Sequence, residues 1–152
     1  MAVVSHAICP STGTVDREGF QVLFEAWIEA FTARDPDRVA RLHLPGGIFQ
    51  LARAGTARGP DLIRRSCADW LFRNEVQASV ALLETRLYDA AHLATGNGRF
   101  TLAHRRDSNG KDGKLDTGRL LLVAEEDRDR WGLRFSGLFS DTYLDELATF
   151  RL

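Results

Sequence analysis

The chain has 152 residues, of which 44% are apolar and 27% charged, and its formal net charge is -1. This length fits a single domain that buries a core without disulfides or metals. The near-zero charge excludes the basic field that recruits nucleic acid or an anionic membrane surface, and no apolar run reaches the roughly 18 residues of a membrane span. Two cysteines are too few for a disulfide framework. We therefore expect a cytoplasmic protein.

The first 15 residues are predicted to be a flexible arm, because they contain turn-forming residues and lack the basic and apolar regions of a signal peptide. Residues 16–152 are expected to form one domain. Asp16 is the predicted N-cap of a helix that runs to Ala33. Apolar side chains recur in this helix with the spacing of one helical face. They are Phe20, Leu23, Phe24, Trp27, Ile28 and Phe31.

A second, short helix is predicted next, because Asp35 can cap it and Pro36 suits its first turn. This helix is expected to end before Pro45, and a strand is predicted from Ile48 to Ala54. Gly59-Pro60-Asp61 then opens a third helix. The predicted apolar face of this helix consists of Leu62, Ile63, Cys67, Trp70 and Leu71.

From Val76 onward the apolar period becomes two, which is typical of strands. Four strands are predicted: Val76–Asp89, Leu93–Arg106, Thr117–Glu126 and Trp131–Ser140. They form two hairpins, and the first strand is long enough to contain a bulge. A polar loop over 107–114 joins the hairpins, and a short helical tail is predicted from Asp141 to Phe150. Helices first and strands last indicate an α+β fold, in which a curved antiparallel sheet wraps around three helices and encloses a pocket.

This order of elements resembles the nuclear transport factor 2-like (NTF2-like) superfamily, in its SnoaL-like branch. The local sequences that support the resemblance are Ala26-Trp27-Ile28-Glu29-Ala30-Phe31, Arg34-Asp35-Pro36-Asp37 and Gly59 before the third helix. The resemblance covers roughly residues 17–143. It implies a cone-shaped, cystatin-like α+β barrel that is usually dimeric through the outer sheet face. The superfamily includes ketosteroid isomerases, polyketide cyclases, scytalone dehydratase and limonene epoxide hydrolase, so the fold alone does not select a function.

The chain lacks most of the catalytic residues that the known enzymes of this superfamily use. Where ketosteroid isomerases carry a tyrosine and two aspartates, this chain has Trp27, Leu51 and Leu121 or Leu122, none of which transfers protons. The positions of the Asp-Arg-Asp trio of limonene epoxide hydrolases align with leucines and a glycine in this chain. The Asp-His pair of the dehydratase-like branches has no match in the first helix. The ketosteroid isomerase and limonene epoxide hydrolase mechanisms are therefore disfavoured.

The predicted interior is apolar and rich in aromatic rings, which can stack on a flat apolar ligand. The candidate substrate-binding residues are Trp27, Leu51, Cys67, Trp70, Phe100, Leu120, Leu122, Phe135 and Phe139. The alternative is that these side chains simply fill the core. The assignment depends on strand phase, because a slip of one residue exchanges the two faces of a strand. Arg99, Arg119 and Arg134 alternate with apolar residues and are assigned to the outer face.

His104 is the first candidate for proton transfer, since imidazole titrates near physiological pH; alternatively, it is a surface histidine beside Arg105. His43 is the second candidate, with the alternative that it satisfies carbonyls at the end of a helix. Cys67 has no identifiable histidine partner, so a buried structural thiol is favoured. No metal site and no cofactor are predicted.

Two functions remain open at this point, and the sequence does not decide whether the chain is an enzyme. The first is binding of a hydrophobic small molecule, with His104 and His43 available to assist an isomerisation, cyclisation or dehydration. The second is a non-catalytic dimerisation or partner-binding module. In either case a homodimer is expected through the outer sheet face, where Leu121 and Val123 point away from the core.

Overall fold

The structure is a computed structural model that describes residues 18–51, 55–69, 76–103 and 115–141. The helices in these ranges are α1 (Gly19–Thr32), α2 (Pro36–Arg41) and α3 (Pro60–Cys67). The strands are β1 (His43–Leu51), β2 (Gly55–Arg58), β3 (Gln77–Tyr88), β4 (Leu93–Ala103), β5 (Leu115–Asp127) and β6 (Arg130–Ser140). The predicted arm, the 107–114 loop, Asp16, Trp70, Leu71, His104 and the tail beyond Asp141 lie outside the described residues.

The six strands form one sheet in the order β2-β1-β6-β5-β4-β3. All neighbouring pairs are antiparallel except β1 and β6, which run parallel. A hairpin forces antiparallel pairing, but β1 and β6 are far apart in the sequence and are free of that constraint. The predicted α+β fold, with a curved sheet around three helices, is confirmed. The sheet is mixed, and it is unclosed because β2 and β3 are its edges.

The apolar stripe of α1 packs on β3 and β6, and this was the strongest local signal in the sequence. Its buried side chains are Phe20, Leu23, Phe24, Trp27, Ala30 and Phe31. Arg34 adopts a left-handed φ of 56° just after the helix. The predicted cap of α2 is confirmed, because the Asp35 carboxylate accepts a hydrogen bond of 3.1 Å from the Arg38 N–H. Pro36 occupies the first turn of α2.

The segment after α2 differs from the prediction. The strand begins at His43 rather than Ile48, because the Leu133 N–H donates to the Leu42 carbonyl at 2.8 Å and aligns the chain with β6 at once. The short edge strand β2 was not predicted, since four residues cannot show a clear alternation. In α3, Ile63 and Cys67 are buried as predicted, whereas Leu62 is 52% exposed, so its assignment to the inner face was wrong.

Both predicted hairpins are present. The register of β3 against β4 shifts between Leu82 and Glu84, which confirms the expected bulge in the long strand. The β5–β6 hairpin is closed by Arg128 and Asp129, with φ values of 51° and 64°. Positive φ at both central positions is the pattern of a type I′ turn, whose twist matches that of the strands.

A second bulge reverses the phase of β6. Leu133 pairs with Ala124 of β5, but the next inward pair joins Ser136 to Leu122, so β6 contains one extra residue, Arg134. Beyond the bulge the buried residues of β6 are Ser136, Leu138 and Ser140. The prediction that Phe135 and Phe139 face the interior was therefore wrong. They pair with Val123 and Arg119 and lie on the outer face.

Two aromatic rings fill the interior over the inner face of β4 and β5. A Cβ atom added at Gly96 would lie 2.9 Å from Cε2 of Phe24, and one at Gly118 would lie 2.7 Å from Cε1 of Phe100. These glycines therefore leave space that the two rings occupy. No helix among the described residues is long and apolar enough to cross a membrane.

Candidate functional site

Most of the predicted pocket residues meet in one buried cluster between the helices and the inner sheet face. The members of this interior cluster that the sequence identified are Trp27, Leu51, Cys67, Phe100, Leu120 and Leu122. Each is at most 2% exposed. The strand phase predicted for β4 and β5 is thus confirmed. Whether these residues contact a ligand stays a prediction, as does the role of Trp70, which is outside the described ranges.

Trp27 contains an unsatisfied polar atom. Its side chain is fully buried, and its ring stacks on Phe31 with centroids 4.8 Å apart and an interplanar angle of 5°. The indole Nε1–H has no hydrogen-bond partner within the described part of the chain. A buried donor without an acceptor costs about 1–3 kcal/mol. Such donors are rare in folded proteins, so this N–H is a polar group of the interior that needs an explanation.

His43 is held between α2 and β6. Its Nδ1 lies 2.9 Å from the Val39 carbonyl oxygen and its Nε2 lies 2.8 Å from Ser136 Oγ. A carbonyl only accepts, so the proton is on Nδ1, and Nε2 accepts from the serine hydroxyl. Burial lowers the pKa of His43 to about 4, against the opposing effect of the hydrogen bond to Val39.

These contacts favour the structural interpretation of His43, and its role in proton transfer stays a prediction. The ring satisfies a carbonyl in the last turn of α2, as the structural interpretation predicted. It is neutral near pH 7, and both of its nitrogens are engaged. Ser136 is fully buried and donates to His43, so the pair joins β6 to the start of β1. The alternation pattern could not reveal this contact, because the bulge at Arg134 is what turns Ser136 inward.

Cys67 is a buried thiol. Burial raises its pKa to about 12, so the nucleophilic thiolate is not populated near neutral pH. This agrees with the structural role favoured by the sequence. Within the described ranges, no group of three or more His, Cys, Asp or Glu side chains is arranged to hold a metal ion.

The outer sheet face carries ion pairs. Arg99 donates to both carboxylate oxygens of Asp141, at 3.1 and 2.6 Å, and Thr117 donates to the same carboxylate at 3.1 Å. The hydrogen bond from Arg99 is the main cause of the lowered pKa of Asp141. Arg134 likewise donates to Glu125 at 2.9 Å through its Nε. The arginines thus lie on the predicted face.

Apolar side chains form a strip between these ion pairs, which we call the outer strip. Its members are Ile48, Leu83, Leu121, Val123, Phe135 and Phe139. Phe135 and Phe139 stack with centroids 6.3 Å apart, and Leu83 is 67% exposed. A groove of about 420 Å³ lies beside this strip, with Arg99 and Arg119 in its wall.

No protein-family model matches the sequence, and no curated protein matches it. Solved structures do. An uncharacterised protein with a cystatin-like fold from Caulobacter vibrioides is 20% identical with a TM-score of 0.68, over 89% of this chain and 97% of the other. A hexachlorocyclohexane dehydrochlorinase, LinA-type3 from Novosphingobium barchaimii, is 14% identical with a TM-score of 0.69, over 82% and 86%.

A protein from Xanthomonas campestris described as a putative calcium/calmodulin dependent protein kinase II association domain also matches. It is 21% identical with a TM-score of 0.62, over 84% of this chain and 91% of the other. Identities this low establish the fold and leave the activity open. The helices, the mixed curved sheet and these neighbours together show that the chain has a cystatin-like fold.

Proposed function

We propose that this protein binds a neutral, mainly apolar small molecule in its interior, beside Trp27. The observation that carries the proposal is the buried indole N–H, for which the described residues provide no acceptor. The other polar groups of the described interior are engaged: His43 and Ser136 bond to each other, and Ser140 has a partner as well. The Cys67 thiol is neutral. One unpaired donor in such surroundings suits a ligand with one hydrogen-bond acceptor.

The charge of the ligand follows from the same residues. The buried polar or charged side chains in the described part of the chain are His43, Ser136 and Ser140, and His43 is neutral at pH 7. An ionic ligand would therefore lose its hydration without gaining a counter-ion in the interior cluster. A neutral ketone, ether or ester avoids that loss and still accepts a hydrogen bond from Trp27 Nε1.

The described residues do not support a strong acid–base mechanism. His43 is engaged at both nitrogens, and Cys67 is protonated. Neighbours of this fold include dehydrochlorinases, so catalysis is compatible with the architecture. His104 remains the candidate for proton transfer. If a substrate is turned over, His104→Ala should lower the turnover well over tenfold without unfolding the protein.

The proposal is tested with two matched probes, 2-acetylnaphthalene and 2-ethylnaphthalene. They have similar shapes, but only the ketone accepts a hydrogen bond. One such bond is worth about 0.5–1.5 kcal/mol, so the wild type should bind the ketone about two- to tenfold more tightly. Trp27→Phe should bind both probes equally. Trp131→Phe, which removes an indole that is not part of the interior cluster, should keep the preference.

Calorimetry or fluorescence titration gives the six affinities of the three proteins for the two probes. If neither probe binds the wild type, the interior has no room for a ligand and the proposal fails. If both bind but Trp27→Phe keeps the preference for the ketone, Trp27 is not the donor. The proposal is supported if the wild type and Trp131→Phe both prefer the ketone and Trp27→Phe does not.

A second candidate function is association through the outer strip, and the observation that favours it is the exposed apolar surface itself. Leu83 is exposed and the stacked pair Phe135 and Phe139 is half-buried. Contiguous apolar patches of this kind mark interaction surfaces. We propose a homodimer in which two outer strips face each other, with the ion pairs of Arg99 and Arg134 at their rims.

Light scattering in dilute solution tests the dimer. A mass near twice 17.0 kDa is expected, and Leu121→Asp should reduce it towards 17.0 kDa. Leu62→Asp is the matched control, because Leu62 is exposed on α3 and away from the sheet. A wild-type mass of 17.0 kDa, or equal dissociation by both variants, would contradict this proposal.

A further inference from the structure

A cleft of about 360 Å³ lies where the end of α2 and the start of β1 meet the β5–β6 hairpin. Residues that carry charge or aromatic surface line it: Arg41, Asp127, Arg128, Arg130 and Trp131. None of them belongs to the outer strip or to the buried core. This cleft therefore needs an explanation other than the two functions proposed above.

The charge of the cleft is unbalanced. Three guanidinium groups face one carboxylate, and the described ion pairs involve none of Arg41, Arg128 and Arg130. Elsewhere in the structure arginines do hold carboxylates, as Arg99 holds Asp141. Unpaired guanidinium groups around a concave surface attract anions, and their planar fork matches a phosphate group.

The walls of the cleft are fixed before any ligand arrives. Trp131 is half-buried, and its ring meets the edge of Phe20 with centroids 5.8 Å apart at 62°. The hydrogen bond of 2.8 Å from the Leu133 N–H to the Leu42 carbonyl joins the two sides. Gly132 has no side chain, which leaves room for Leu44 to pack there. A rigid aromatic wall loses little entropy when a flat ring stacks on it.

The tight turn at the rim contains an unusual residue choice. Arg128 and Asp129 both have left-handed φ values, 51° and 64°. Asn-Gly or Asp-Gly is preferred in such turns, because Gly has no Cβ to strain the left-handed conformation and Asn and Asp side chains hydrogen-bond locally. The chain thus keeps a guanidinium at the mouth of the cleft where a less strained residue would close the hairpin.

We propose that this cleft binds an organic dianion that carries a flat ring, such as an aryl or heteroaryl phosphate. The ring lies against Trp131, and the phosphate is held by arginines of the cleft, Arg128 and Arg130 first. The lining residues carry three positive charges and one negative charge, a net charge of two for the dianion to neutralise, and the carboxylate of Asp129 in the adjoining turn is not among them. The proposal does not depend on the interior ligand or on the dimer.

The test uses phenyl phosphate, with inorganic phosphate and benzyl alcohol as the two half-ligands. Nuclear magnetic resonance follows the indole N–H signal of Trp131. The chain has three tryptophans, and the signal of Trp131 is the indole signal that disappears in Trp131→Phe. Phenyl phosphate should shift this signal saturably and bind about tenfold more tightly than either half-ligand. The affinity should fall as salt is added.

The arginines are tested one at a time. Arg128→Gln and Arg130→Gln should each weaken phenyl phosphate binding about three- to tenfold. Arg65→Gln is the matched control and should leave the affinity unchanged, because Arg65 is exposed on α3 and does not line the cleft. Equal weakening by Arg65→Gln, no saturable shift of the Trp131 signal, or equal affinity for phenyl phosphate and inorganic phosphate would each overturn the proposal.

Discussion

The buried histidine makes a quantitative prediction about stability against pH. The ordinary pKa of His43 is 6.5, which holds in the unfolded chain, and burial lowers it to about 4 in the folded protein. Between these values the unfolded state binds a proton that the folded state excludes, so stability falls as the pH is lowered. The penalty is absent well above pH 6.5, is about 2 kcal/mol at pH 5, and levels off near 3 kcal/mol below pH 4.

The measurement is urea unfolding at intervals between pH 7.5 and pH 4, on the wild type and on His43→Asn. The variant loses the bond to Ser136 and is expected to be less stable at pH 7.5, by about 1–3 kcal/mol. It has no imidazole to protonate, so the difference between the two proteins should shrink by about 2 kcal/mol on going to pH 5. Carboxylates titrate in both proteins and cancel in the difference. Parallel stability curves would refute the assignment of a buried, neutral His43.

Three further predictions concern packing, the thiol and a helix cap. Gly118→Ala should destabilise the fold by about 1–3 kcal/mol or more in urea, because its Cβ would clash with the backbone carbonyl oxygen of Phe139 and meet the Phe100 ring, whereas Gly46→Ala, with no atom within 4 Å, should change stability by less than about 0.5 kcal/mol. Cys67 should resist iodoacetamide at pH 8 until the protein unfolds, and fast labelling of the folded protein would contradict its raised pKa. Asp35→Ala should cost about 1 kcal/mol in thermal or urea unfolding through loss of the α2 cap, and an unchanged midpoint would show that the cap is not needed.

Features encoded by neighbouring residues were predictable from the sequence. The stripe of α1 repeats over 14 residues, and Asp35 followed by Pro36 specifies a helix start within one turn. The two hairpins follow from alternation on both sides of a short polar turn. These signals were enough to predict the fold class and the buried phase of β4 and β5.

Features that depend on distant contacts were not predictable. The hydrogen bond between His43 and Ser136 joins residues 93 positions apart, and the parallel pairing of β1 with β6 has no local signal. The strand β2 is only four residues long. The sequence could identify Trp27 as buried, but the lack of an acceptor for its N–H among the described residues depends on all the side chains around it and has no local signal.

The bulge at Arg134 links the two surfaces on which the proposed functions depend. If the strand continued from Leu133 in regular alternation instead of bulging at Arg134, Phe135 and Phe139 would point inward and Ser136 outward. The interior would then contain two more aromatic rings, and His43 would lose the hydroxyl that satisfies its Nε2. The outer strip would lose its stacked aromatic pair at the same time. The bulge at Arg134 therefore determines both which side chains of β6 enclose the interior and which ones remain available for association.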